Sequence, residues 1–255
     1  MTLELVTIPC RTDNYAYLLH DAASGDTALI DAPEAAPILT ALQTRGWTLR
    51  QILITHHHSD HIDAVPELVS ATGAQVLGAK ADAHRLPPLS RALTEGDTVQ
   101  VGTESAQVID VSGHTLGHIA FHFPVSAYAF TADSLMAGGC GRLFEGTPTQ
   151  MWTSLSKLAA LPPETLICSG HEYTASNLRF AATIEPENPA LLSRIARVTA
   201  ARAENRATVP SRLSGELATN PFLRANLSHI KASLGLPDAP DAAVFAEIRA
   251  RKDKF

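Results

Sequence analysis

The segment Thr55-His-His-His-Ser-Asp-His61 constrains this chain more than any other. It crowds His56, His58, Asp60 and His61 into six residues, directly after the apolar run Gln51-Ile-Leu-Ile-Thr55. Side chains of an extended chain alternate sides, so His56, His58 and Asp60 point one way where a strand ends. His61 turns in as a helix begins. Imidazole and carboxylate groups aimed at one point lose hydration and repel on protonation unless cations hold them. A solvated polar loop has no need of this spacing. The segment reads as a metal site, and it asks for a fold that delivers strand ends and their loops to one edge.

The rest of the chain has the means to build such a fold. Its 255 residues are 45% apolar and 18% charged, enough to bury a large core and too apolar for disorder. No apolar stretch reaches the roughly 20 residues of a membrane span, and the first ten residues lack the basic region of a secretory signal. Cys10, Cys140 and Cys168 are odd in number and far apart. That argues against a disulfide scaffold and for a reducing, cytoplasmic setting. A formal charge of −6 disfavours nonspecific binding to nucleic acid.

Short apolar and β-branched runs predict strands at 3–8, 15–20, 27–31, 51–55, 75–78, 98–101, 106–111, 119–123, 127–131 and 165–168. Helices are expected at 37–45, 62–70 and 152–160. After about Tyr173 the chain turns helical, at 174–184, 188–205 and 242–252, with proline-rich breakers between. The expectation is an α/β protein. A two-sheet body occupies residues 1–172 and a small, mostly helical C-terminal domain occupies 173–255.

Three further segments put a metal-competent residue just past an apolar strand: Ser112-Gly-His114, Thr131-Ala-Asp133 and Ser169-Gly-His171. Each is weak alone, since a lone histidine after glycine is most often structural and an aspartate there usually caps a turn. In series with the opening cluster they give His-X-His-X-Asp-His, then His, Asp and His. That order is highly specific. Imidazole and carboxylate donors without cysteine suit zinc, iron or manganese.

This ordered series resembles the metallo-β-lactamase superfamily, an αββα sandwich with a metal site at one edge. Within it, the chain is similar to the hydroxyacylglutathione hydrolases (glyoxalase II) over essentially its whole length. The likeness is carried by Ile8-Pro9 with Asp13-Asn14-Tyr15 and Tyr17, by 140–146 and 170–174, and by Asn220-Pro-Phe-Leu-Arg224 and 249–255. The last two lie outside the superfamily core and so select the family.

The resemblance implies two divalent ions per chain, zinc first, with iron or manganese as alternatives. His56, His58 and His114 would hold one, Asp60, His61 and His171 the other, and Asp133 would bridge them. Asp60 and Asp133 would be the catalytic carboxylates that hold a metal-bound hydroxide. The implied reaction is hydrolysis of S-(2-hydroxyacyl)glutathione, typically S-D-lactoylglutathione to D-lactate and glutathione, the second step of methylglyoxal degradation. A monomer is expected, with no nucleic-acid or membrane partner. A glutathione thiolate leaves with a pKa of roughly 8.5, by analogy with free cysteine, so this thioesterase needs no strong general acid.

Arg142, Phe144, Tyr173, Arg249 and Lys252 match the family's substrate-contacting positions. Phe144 stands where Tyr is frequent, which removes a hydrogen bond worth a net of about 0.5–1.5 kcal/mol. On composition alone, the basic tail is equally a solvated helix end set favourably against its dipole. Asp63-Ala64 replaces a small glycine pair and implies a local packing change. His57, between two ligands, should face away and serve packing or support. His118 should support its loop, Asp31 should cap or support at a strand end, and Asn14 and Tyr15 should stabilise the early loop. Two other functions compete with the hydrolase: a mononuclear iron persulfide dioxygenase, and a metal-containing binding module without catalysis.

Overall fold

The computed structural model describes residues 2–255. By backbone proximity the chain divides into two compact units. One runs up to Asp110 and resumes at Thr115–Thr131; the other joins Val111–His114 to Ala132–Phe255.

The first unit opens with β1 (Glu4–Cys10), β2 (Asn14–His20) and β3 (Asp26–Ile30), an antiparallel meander. Helix α1 (Ala35–Arg45) then carries the chain to β4 (Thr48–Leu53), parallel to β3. Parallel neighbours need such a crossover. Gly46 ends α1 in the left-handed conformation, φ 66°, which costs a glycine nothing. Helices α2 (Ser59–Ile62) and α3 (Val65–Thr72) form the next crossover, to β5 (Gln75–Ala79) and then β6 (Arg91–Leu93). The six strands form one sheet in chain order, parallel from β3 onward.

Ile38 and Leu42 of α1 and Val65 and Leu68 of α3 pack with Leu18, Leu29, Ile52 and Val76 into one core. Ile52, Leu53 and Ile54 are all fully buried, as an unbroken apolar run on a two-sided strand should be. Because β3 and β4 run parallel, both end at the same edge of the sheet. Asp31 follows the first and the histidine cluster follows the second. The unit also holds an antiparallel run of β7 (Thr98–Val101), β8 (Glu104–Asp110), β9 (Ile119–Phe123) and β10 (Tyr128–Ala132), the last reaching the unit boundary.

The second unit contains the hairpin β11 (Leu135–Met136) with β12 (Gly139–Cys140), then α4 (Pro148–Ala159) and β13 (Leu166–Ser169). Helices α5 (Thr174–Ile184) and α6 (Pro189–Ala203) follow, joined through Leu178, Ala181, Leu191 and Val198. The chain finishes with β14 (Ser211–Arg212), α7 (Leu213–Thr219), α8 (Ser228–Ser233) and α9 (Asp241–Lys254). Strand β14 pairs antiparallel with β13, Ile167 opposite Ser211. Trp152 of α4 meets Phe245 of α9 with ring centroids 6.2 Å apart.

Some expected boundaries shift for local reasons. The single helix expected at 62–70 is two, divided at Asp63–Ala64, with Pro66 in the first turn of α3. Helix α4 starts at Pro148, not 152, because Thr147 and Gln150 form a reciprocal capping box. The strand expected at 51–55 begins at Thr48 and stops at Leu53, so Thr55 lies in the loop beyond it. Strands β6, β11, β12 and β14 and helices α7 and α8 have no counterpart among the sequence expectations.

Candidate metal centre

Each unit presents its own set of donors. In the first, the loop after β4 brings His56 Nε2 within 3.1 Å of His58 Nδ1. Two ligands at 2.0–2.1 Å on a tetrahedral ion are separated by about 3.3–3.4 Å, so this spacing suits one shared cation. The Thr55 hydroxyl donates to Asp31 Oδ2 at 2.8 Å. Its oxygen therefore accepts from His56 Nδ1–H at 3.0 Å, which turns the Nε2 lone pair toward His58. Asp31 Oδ2 also takes the Nδ1 proton of His61 at 2.8 Å, so the lone pair of that ring sits on Nε2. A carboxylate behind a histidine fixes its tautomer and raises its basicity. Asp31, His56 and His61 are all buried.

Asp31 has φ 56°, unusual for a residue with a side chain. Strain of this kind persists where surrounding bonds over-determine it, often at functional sites. Here Asp31 accepts from Thr55 N, Thr55 Oγ1 and His61 Nδ1. Asp60 is half-buried, and its Oδ2 accepts from Asn14 Nδ2 at 2.9 Å. His57 turns the other way, as alternation demands, and meets Asp82 Oδ2 at 3.1 Å. His118 stacks on His56, centroids 4.6 Å apart and planes 10° from parallel, so its support acts through the ring face.

In the second unit, Asp133 follows β10, His171 follows β13, and His114 sits in the loop after β8. One oxygen, Asp133 Oδ2, lies 3.5 Å from His114 Nε2 and 3.3 Å from His171 Nε2. All three residues are buried. His114 Nδ1–H donates to the Arg142 carbonyl at 2.7 Å, so its Nε2 carries the lone pair facing Asp133. Gly141 has to be glycine: a Cβ there would run into the Asp133 carbonyl and come within 2.9 Å of His114 Nδ1. Ala132, just before Asp133, holds φ 39°, a second strained residue beside a donor.

The five expected substrate contacts all lie in this unit. Tyr173 stacks on His171, centroids 4.7 Å apart, and Phe144 meets His114 edge-on at 5.2 Å. Both aromatic side chains are exposed. Arg142 is exposed, with Nε 3.5 Å from Asp253. Arg249 is buried, contrary to a solvated helix end. It donates to the Cys140 carbonyl at 3.1 Å and to Asp253 at 2.8 Å, and its guanidinium lies over the Phe222 ring. Lys252 lies over Phe180 and Phe255, and burial lowers its pKa below the ordinary lysine value, helped by the nearby Arg249 charge.

Comparison with known proteins identifies the family. Residues 12–171 match the family model for the metallo-beta-lactamase superfamily, and residues 172–255 match that for the hydroxyacylglutathione hydrolase C-terminus. A hydroxyacylglutathione hydrolase of Fuscovulum blasticum is 69% identical, with both chains covered completely. The chain belongs to the hydroxyacylglutathione hydrolases. Members of this family are metal-dependent hydrolases with a metallo-beta-lactamase fold. The solved BLEG-1 B3 metallo-beta-lactamase shares that fold, with a TM-score of 0.68 and 22% identity over 86% of this chain and 99% of its own. The structure of TTHA1623 in a di-iron-bound form aligns with a TM-score of 0.58 and 32% identity, over 66% of this chain and 91% of its own. The match of the C-terminal model favours the hydroxyacylglutathione hydrolase over the dioxygenase and over a binding module.

The expected donors fall in short segments that are readable in the sequence. Asn14 was expected only to stabilise the early loop, although its amide reaches the Asp60 carboxylate. Asp31 offered the signal of a polar residue at a strand end, but nothing in the sequence named His61 and Thr55 as its partners.

Proposed function

We propose that this hydroxyacylglutathione hydrolase holds two divalent ions, one on His56, His58 and His114 and one on Asp60, His61 and His171, with Asp133 bridging. The reading rests on one observation above all, the single Asp133 oxygen within 3.5 Å of both His114 Nε2 and His171 Nε2. Imidazoles assigned to different ions share one carboxylate oxygen. The proposed donors are imidazoles and carboxylates without a thiolate, a set that suits zinc, iron or manganese. The di-iron form of the similar TTHA1623 supports a count of two and keeps iron beside zinc as the resident metal.

Divalent ions bound there would supply Lewis acidity and a water whose pKa falls to about 7. The chain's own residues do the rest. Asp60 and Asp133 provide the negative charge that balances the ions, and Asp31, Thr55 and the Arg142 carbonyl hold three of the histidines in their ligating tautomer. Arg142, Arg249 and Lys252 supply positive charge for the glutathione carboxylates, and Tyr173 supplies a phenol beside His171. Phe144 supplies ring surface without a hydroxyl.

The substrate is an S-(2-hydroxyacyl)glutathione, S-D-lactoylglutathione foremost. Matches of separate family models on either side of 171/172 support a catalytic domain over 1–172 and a substrate-binding domain over 173–255. Three buried, unpaired cysteines support a reducing cytoplasm, and no described helix is long and apolar enough to cross a membrane. The protein is proposed to act as a monomer without nucleic acid. Metal analysis beside a steady-state assay on lactoylglutathione and a thioester lacking glutathione tests the proposal. Two ions per chain and selective hydrolysis of the glutathione ester are expected. One iron per chain with oxygen uptake would overturn it.

A further inference from the structure

We infer that Asn14, at the tip of the β1–β2 hairpin, is the positioning residue that fixes the Asp60 carboxylate; this rests on the proposed role of Asp60 as a metal ligand. Asn14 opens β2, paired with Cys10 at the last rung before the turn Arg11-Thr12-Asp13. It is buried, and both protons of its amide nitrogen are used on one residue. Nδ2 donates to the Asp60 carbonyl at 3.1 Å and to Asp60 Oδ2 at 2.9 Å. A single amide therefore locks the main chain and the side chain of Asp60 against each other.

The hairpin tip is itself anchored to the same loop. Arg11 Nη2 pairs with Asp63 Oδ2 at 2.6 Å, and Arg11 Nε donates to the Pro33 carbonyl at 2.9 Å. Its main-chain N–H donates to Glu34 Oε2 at 2.7 Å. Asp60 inside the short helix α2 and Asp63 just past its end are thus both gripped, and four helical residues cannot hold a ligand rotamer by themselves.

The chemistry of the donor matters as much as its place. Asn14 reaches Oδ2, the Asp60 oxygen that lies 3.8 Å from His61 Nε2, and so orients the carboxylate toward that imidazole. A lysine or arginine partner would do this but would neutralise the charge that the cation requires. An amide orients the carboxylate and leaves its charge intact. That explains an asparagine here better than loop stability, for which the bond to the Asp60 carbonyl alone would suffice.

The test compares wild-type protein with Asn14→Ala, using competition by a chromogenic chelator for each bound zinc, together with kcat and KM for lactoylglutathione. The expected result is a selective loss: roughly 10–100-fold weaker binding of one ion, the other unchanged, with kcat lowered and KM held. Wild-type affinity for both ions in the variant would overturn the inference while leaving the metal proposal standing, as would an equal loss at both sites. Wild-type protein that binds fewer than two ions would overturn the metal proposal, and this inference with it. If Asn14→Ala does not fold, Asn14→Ser, which keeps a small donor, is expected to show an intermediate loss confined to the same ion. Equal loss at both sites there would be equally fatal.

Discussion

Asp31 has a residue-scale role that a deletion should expose. It receives three hydrogen bonds in a buried setting, one of them from His61 Nδ1. Asp31→Ala would leave His61 free to rotate and to hold its proton on either nitrogen. Metal affinity should fall roughly 10–100-fold, read by chelator competition, and zinc excess should restore part of the turnover. Arg249 needs a two-part reading because it is buried as well as basic. Arg249→Ala should raise KM for the glutathione thioester and lower Tm together, since its bonds to the Cys140 carbonyl and Asp253 are lost. A raised KM with unchanged Tm would make it a substrate contact alone. The residues proposed as donors stand out in the sequence because they fall in short local motifs just past apolar runs. Their supports do not: Asp31 and Thr55 lie 24 positions apart, and Asn14 and Asp60 lie 46 apart. Pairings over such distances are decided by the sheet, not by any local pattern.

At the scale of elements, Glu216 carries the strongest expectation. It is fully buried in α7 and accepts from Gly138 N, Ser211 Oγ, Asn220 Nδ2 and the guanidinium of Arg194. One carboxylate thereby joins α6, α7, β14 and the β11–β12 turn. Removing one partner of a buried ion pair strands the other, at a cost of about 3–5 kcal/mol. Glu216→Ala should therefore lower the unfolding free energy obtained from urea titration by that amount, whereas Thr147→Ala, which deletes an exposed helix cap, should cost only about 1 kcal/mol. This network also explains what the sequence left unread. Helix α5 was legible to the residue, because an apolar period runs into the breaker that starts at Glu185. Strands β11, β12 and β14 have two residues each and no periodicity to detect. They exist because distant partners meet them, as Ile167 meets Ser211.

Over the whole molecule, stability should respond to acid in two stages. His122 lies on β9, opposite Ala129 on one neighbouring strand and Gln107 on the other. It is buried, and neither ring nitrogen has a hydrogen-bond partner among the described residues. Burial lowers its pKa below the usual 6.5, and the charge of Glu104 offsets only part of this. The unfolded chain thus binds a proton near pH 6.5 that the folded chain refuses, so stability falls as pH drops below that value. Glu185 acts in the opposite sense and later. Burial alone would raise its pKa, but hydrogen bonds from Arg224 and His229 bring it below the ordinary 4.5. It contributes stability above that value and loses it as pH falls through the lowered one. Replacing the ring by an apolar one of similar size separates the two stages. Thermal melts of wild type and His122→Phe at pH 7.0 and 5.5, both stripped of metal so that ligand protonation is common to the pair, should show a smaller loss of Tm in the variant. An equal loss in the two proteins would assign the first stage to other histidines. The decline below pH 4.5 should persist in the variant, because Glu185 and its partners are untouched.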